Sequence, residues 1–129
     1  MNIQEDYVSF EIAKLLKEKG FNEDCYTCYL IDEIQHYDYK SRNRDLIEGV
    51  ISAPTIQMAM KWLREAHKLF IQIRIIPYTT ITIEQKYYLF TIHKDRRTLT
   101  FRKDFPSECY FTYEQACEEA IKYCLENLI

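Results

Sequence analysis

Hydrophobic positions along the chain change their spacing several times, and each change marks an element. Phe10, Ile12, Leu15 and Leu16 recur at helical spacing among the polar Lys14, Lys17, Glu18 and Lys19, which predicts an amphipathic helix over residues 10–19. Ser9 suits the N-cap, because its hydroxyl accepts a bond from an otherwise unpaired first-turn amide. Gly20 suits the left-handed position that ends a helix, and Phe21 the contact back onto Leu16 that accompanies it.

Cys25 to Ile31 has no polar alternation and reads as a strand that is central in its sheet or covered on both faces. A partner strand is expected over Ile34 to Tyr39, with Asp32-Glu33 at the turn. Lys40 to Asp45 reads as a polar loop, and Leu46 to Ile51 as a short strand or an extended lead-in. Ser52-Ala53-Pro54-Thr55 opens a second helix: Ser52 or Thr55 can cap it, and Pro54 is tolerated where amides have no helical partner. Ile56, Ala59, Met60, Leu63 and His67 share one face, widened by Trp62 and Ala66, so this helix should end near His67 or Lys68.

The period then drops to two. Ile71, Ile73 and Ile75 alternate with Gln72 and Arg74, the pattern of a half-buried strand, and Pro77 ends it or places it at a bulge or edge. Thr79 to Ile83 can resume the extended run, and Lys86 to His93 reads as the next strand, antiparallel to its predecessor. Leu99 to Phe101 is either one more strand or part of a loop over Lys94 to Lys103. Thr112-Tyr113-Glu114-Gln115 matches a capping box, followed by the stripe Cys117, Ala120, Ile121, Cys124, Leu125 and Leu128. The order predicts an α+β fold in one domain over residues 1–129, with three helices packed on an antiparallel sheet of about four strands.

Composition narrows the function classes. A net formal charge of −3 gives no general support for phosphate backbones or acidic membranes. The start, Met1 to Asp6, lacks the basic region and apolar core of a secretory peptide. The longest mostly apolar stretch, Leu69 to Tyr78, is broken by Gln72 and Arg74 and falls short of the ~20 residues of a membrane helix. A cytoplasmic chain with no membrane contact is expected, its five cysteines reduced. With only two glycines, a glycine-rich phosphate cradle is excluded.

Candidate chemistry is sparse. Cys25-x-x-Cys28 has no second ligand pair for zinc, and in a strand the two thiols point to opposite faces. Cys117 and Cys124 lie in the apolar stripe of the last helix, where a thiol packs as a small hydrophobe. His36, His67 and His93 show no metal-ligand spacing, and His67 suits the carbonyl end of its helix. No metal or other cofactor is expected, and no catalytic residue stands out. Glu114, Glu118, Glu119 and Glu126 read as a solvated helix face.

One cluster suits an anion. Lys94, Arg96, Arg97, Arg102 and Lys103 follow Tyr87, Tyr88 and Phe90, and aromatic rings beside cations serve single-stranded nucleic acid by stacking. Asp95 and Asp104 offset the charge, and a charged loop after a buried strand explains the same residues. Lys40, Arg42 and Arg44 make a smaller cluster of the same kind. Eleven tyrosines are unusual for this length, and Tyr26, Tyr29, Tyr37, Tyr39, Tyr87 and Tyr88 could partly line a sheet face free of helices, suited to a partner.

Several segments together carry a resemblance: Phe10-Glu11-Ile12-Ala13-Lys14-Leu15-Leu16-Lys17-Glu18-Lys19-Gly20-Phe21, Ser52-Ala53-Pro54-Thr55, Lys61-Trp62-Leu63-Arg64-Glu65 and Tyr113-Glu114-Gln115-Ala116. Across nearly its whole length the chain resembles a family of uncharacterised small proteins from gut Bacteroides-type bacteria and the phages that infect them. The resemblance implies a cytoplasmic protein of phage or mobile-element origin and assigns no activity to any residue. The expected function is a non-enzymatic accessory or interaction module with a protein partner or a second copy of itself. The alternatives are a nucleic-acid-associated protein using the basic cluster and, last, a small hydrolase or thiol enzyme.

Overall fold

In the computed structural model, which describes residues 1–79, 84–95, 97–99 and 109–129, Ser9 caps helix α1 (Phe10–Glu18) by accepting a bond from the Ile12 amide. Gly20 follows at φ +94°, and the Phe21 amide closes onto the Leu16 carbonyl at 2.9 Å, the bond that ends a glycine-terminated helix. Strands β1 (Cys25–Leu30) and β2 (Glu33–Ser41) form an antiparallel hairpin, and β3 (Val50–Ser52) pairs with the other side of β1. A 3-10 turn at Asn43–Asp45 lies between β2 and β3. Helix α2 (Ile56–His67) is capped by Thr55 rather than Ser52, with the Thr55 hydroxyl accepting from the Met58 amide.

The second half repeats the scheme with different parts. Strands β4 (Phe70–Thr79), β5 (Glu84–Lys94) and β6 (Arg97–Thr98) form an antiparallel sheet in that order. Pro77 does not end β4, since it lies on an edge strand whose outer side needs no donor. Helix α3 (Tyr113–Tyr123) runs on into a π-helical turn at Cys124–Leu128. Thr112 caps it by accepting from the Gln115 amide, while the Gln115 side chain reaches the Phe111 amide, one residue earlier than a standard capping box.

The α+β mixture with three helices is as expected, but the single sheet of about four strands is corrected to two sheets of three. Both sides of β1 are taken by local neighbours, β2 through its hairpin and β3 by the return from the 3-10 turn. The chain then leaves through Pro54 into α2, and the later strands build their own ladder. The possible continuation over Thr80 to Ile83 and the strand option at Thr100 and Phe101 lie outside the described residues.

Helix α3 holds these parts together. It contacts α1, α2, β4 and β5, and Ala116, Cys117, Ala120, Ile121, Cys124 and Leu125 along it are fully buried. The small Ala and Cys side chains let neighbouring elements approach closely, while Ile121 and Leu125 fill the space between them. Phe21 packs edge-on against Trp62 at 5.4 Å beside Leu16, Leu63 and Leu69.

Ile31, first in the Ile31-Asp32 turn between β1 and β2, sits at φ 63° with 76% of its surface exposed. A β-branched residue is strained in this left-handed region, and its side chain gains little burial in return. Ile31→Gly is therefore expected to stabilise the domain by about 1 kcal/mol, read as a higher urea midpoint. An unchanged or lower midpoint would show that the turn stores no such strain.

Candidate nucleic-acid interface

The charge of the chain is divided between its sheets. Residues 21–52, which hold the first sheet, contain seven Asp and Glu against three Lys and Arg, and residues 70–98, which hold the second, contain five Lys and Arg against two Asp and Glu. The overall −3 thus conceals two regions of opposite sign, and only the second attracts phosphate.

Alternation along β4 and β5 sorts the second sheet into two faces. Ile71, Ile73, Phe90 and Ile92 join the helix-packed core. Phe70, Gln72 and Arg74, with Tyr87, Thr91 and His93 on the neighbouring strand, take the outer face. Phe70 is 46% exposed and stands directly opposite His93. The His93 ring is held from three sides: Nε2 lies 3.2 Å from Thr91 Oγ1 and 3.3 Å from Gln72 Oε1, and Nδ1 lies 3.2 Å from Thr98 Oγ1. At the other end Tyr87 meets Phe111 with ring centroids 5.7 Å apart, and Phe111 is 64% exposed. Leu89, in the middle of this face, is buried, so the accessible part is the Phe70 end, Arg74 along the β4 edge, and the Phe111 ring.

Of the residues expected in an anion site, Lys94 and Arg97 are brought together. They face each other across the β5–β6 ladder around a tight turn in which Asp95 adopts φ 51°. Like charges directly opposite weaken a ladder, and neither cation forms an ion pair among the described residues. By alternation they project from the side opposite Phe70 and His93, at the same end of the sheet. Tyr87 is on the outer face, but Tyr88 is on the helix side, where its backbone exchanges two 2.8 Å bonds with Tyr110 and its ring meets Tyr113 edge-on. Arg96, Arg102 and Lys103 lie outside the described residues.

The tyrosines do not share one face. Tyr29 is buried with its hydroxyl donating to the Val8 carbonyl at 2.6 Å. Tyr26, Tyr37 and Tyr39 are exposed at a bulge of the first sheet, where β2 advances from Ser41 to His36 while β1 advances from Cys25 to Thr27. Lys40 lies over the Tyr26 ring at 5.5 Å. Arg42 pairs with Asp24 at 2.9 Å and Arg44 with Asp45 at 3.7 Å, so this smaller basic cluster is locally neutralised.

Other chemistry is muted by burial. Burial pushes the Cys25 thiol up to about 11, helped by Asp24 and Glu23, and it pushes Cys117 to about 11 and Cys124 to about 12. These three stay protonated at neutral pH, the wrong state for a nucleophile. Cys25 lines a cleft of about 240 Å³ with Glu5, Tyr7, Tyr26 and Met58. Among the described residues, no three His, Cys, Asp or Glu side chains are placed to hold a metal ion, and no helix is long and apolar enough to cross a membrane.

Glu118 is half-buried in an open trough with Asp6, Tyr7, Thr112 and Glu114, and it accepts the Ser9 amide at 2.8 Å. Burial raises its pKa above the ordinary glutamate value, the Ser9 bonds oppose the rise, and Glu119 and Glu11 add to it. The fold therefore holds this proton more tightly than the unfolded chain does. Its contribution to stability is full below the ordinary glutamate range and is lost as pH rises through the elevated value. Glu118→Gln, which keeps an acceptor for Ser9, is expected to flatten that fall and raise the thermal midpoint slightly at pH 7. A pH–stability curve that keeps its slope in the variant would assign the slope to other groups.

No family model, curated protein or solved structure matches the chain.

Sequence reasoning found the cations and Tyr87 but missed Phe70, Arg74, His93 and Phe111. The signal for the first two was present, because an apolar alternation at Ile71, Ile73 and Ile75 puts Phe70 and Arg74 together on the opposite face.

Proposed function

We propose that the chain is a non-enzymatic cytoplasmic binding module that holds single-stranded nucleic acid on the second sheet. The observation that carries this reading is the juxtaposition of Lys94 and Arg97, two opposed cations with no carboxylate partner among the described residues. They sit at the sheet end where Phe70 and His93 are paired. A phosphate between two such cations relieves their repulsion, and the strand reaches the exposed Phe70 ring on the opposite face around the same end of the sheet, where a base finds a stacking surface of no sequence preference. Arg74 adds a cation on the outer face along the β4 edge, and Phe111 supplies a second ring.

Fluorescence anisotropy of a labelled single-stranded 20-mer tests the proposal. With three or four phosphates neutralised, log affinity should fall with log salt at a slope of about −2 to −3. The double substitution Arg96→Gln/Arg97→Gln should weaken binding by at least about tenfold and make the slope shallower. Absence of binding at about 50 mM salt, or binding indifferent to these substitutions, would reject it.

A second reading has its own observation. Tyr26, Tyr37 and Tyr39 are exposed together on the acidic first sheet, a composition that suits a protein partner. Tyr39→Ala would leave nucleic-acid binding intact under the first reading.

A further inference from the structure

Strand β4 is an edge: its inner side pairs with β5, and among the described residues no strand pairs with its outer side. Long edges of this kind are usually blunted by charges or irregularities. Over residues 70–76, Phe-Ile-Gln-Ile-Arg-Ile-Ile, β4 has a single charge, and it pairs with β5 residue for residue without a bulge. Phe70 is 46% and Ile75 57% exposed, so apolar surface accompanies the open edge.

The order of these seven residues carries the inference. They run apolar, apolar, polar, apolar, polar, apolar, apolar, which is the same in both directions about Ile73. Two antiparallel strands read each other in opposite directions, so this pattern is complementary to itself. We propose that β4 of one copy pairs antiparallel with β4 of a second copy about a two-fold axis at Ile73, joining the two three-stranded sheets into one of six strands.

In that register Ile73 faces Ile73 of the second copy, Ile71 faces Ile75, and Phe70 faces Ile76. Each of these pairs matches apolar with apolar, and such cross-strand pairs are what stabilise a ladder. Gln72 faces Arg74, so no like charges are directly opposed. Shifting the pairing by one residue would set side chains of opposite character against each other and turn the apolar set away. Pro77, which has no amide to donate, falls outside the seven paired residues. A two-fold perpendicular to the sheet leaves the helices of both copies on one side and both outer faces on the other. The pairing stands independently of the nucleic-acid reading. If both hold, the two nucleic-acid sites stand on one six-stranded sheet and binding gains from bivalence.

Sedimentation equilibrium of the intact protein provides the test. The mass should rise with concentration from 15.7 kDa towards twice that value, with a dissociation constant of about 1–100 µM, the weak range of a small interface. Each protomer brings a positively charged hairpin, so added salt should tighten the dimer by screening. Added salt weakens nucleic-acid binding instead, and the opposite responses separate failure of one proposal from failure of the other. Ile75→Lys should leave the circular dichroism spectrum and thermal midpoint of the dilute protein unchanged, since Ile75 is exposed, and weaken the dimer at least about tenfold. Gln72→Glu, placed opposite Arg74 of the second copy, should tighten it about two- to tenfold, whereas Thr91→Glu, the same charge change one strand inwards, should tighten it less. A constant 15.7 kDa at all concentrations would overturn the pairing. So would an Ile75→Lys variant that dimerises as well as the parent, or a Thr91→Glu variant that gains as much as Gln72→Glu.

Discussion

Asn43→Ala is expected to destabilise the domain by about 2–4 kcal/mol, more than truncation of a residue in a polar loop usually does. Asn43 is 7% exposed. Its side-chain amide donates to the Phe21 carbonyl at 2.8 Å, and its carbonyl oxygen accepts the Ser52 amide at 2.9 Å. One side chain thus satisfies two backbone groups that belong to different parts of the chain, the exit of α1 and the last residue of β3. Alanine would leave a buried acceptor and a buried donor without partners, at about 1–3 kcal/mol each, reduced by whatever water reaches them. Asn43→Asp separates the two roles, because a carboxylate still accepts from Ser52 but meets the Phe21 carbonyl with like polarity. It should therefore be no better than alanine. Urea denaturation of both variants checks this, and a loss below about 1 kcal/mol for alanine would mean that solvent already reaches both groups.

Ile121→Ala should cost about 2–5 kcal/mol and melt both sheets together. Ile121 is fully buried on the helix that touches α1, α2, β4 and β5, so the cavity it leaves cannot collapse without shifting elements on several sides. The first sheet reaches α3 through α1, which contacts both β3 and α3. A single cooperative unit predicts that Trp62 fluorescence, which reports the contact with Phe21, and far-ultraviolet circular dichroism shift to the same lower urea midpoint. Separate midpoints would mean that the two sheets unfold as independent parts.

The helices were legible because their signals are local. Ser9, Thr55 and Thr112 each bond an amide three residues on, and the stripe from Cys117 to Leu125 lies on the core side of α3. The sheet count was not legible, because pairing is decided between residues far apart in sequence. Nothing near Val50 to Ser52 announces that this short run will occupy the open side of β1. The turn between β1 and β2 was placed one residue late, since Ile31 has none of the chemistry that favours a left-handed residue. Asn43 was hidden for a related reason: within Lys40 to Asp45 it looks like any polar loop residue, and its two partners lie 22 and 9 positions away. The candidate site was legible in part. Lys94 and Arg97 stand out by charge, but their opposition depends on the Asp95 turn, and the exposure of Phe70 depends on which face the helices cover.

The placement of α3 has a consequence for synthesis. The ribosome makes both sheets before it makes the helix that buries their apolar faces. Until residues 113–125 emerge, Ile71, Ile73, Phe90 and Ile92 have only α2 to pack against and lack α3, and Leu63 and Phe21 lack one wall of their core. The nascent chain therefore passes through an interval in which its most self-complementary segment, residues 70–76, is already outside the tunnel while its natural cover is not. Neighbouring chains on one messenger would be exposed to each other in that interval, so the yield of soluble protein should depend on how quickly the last stretch is translated.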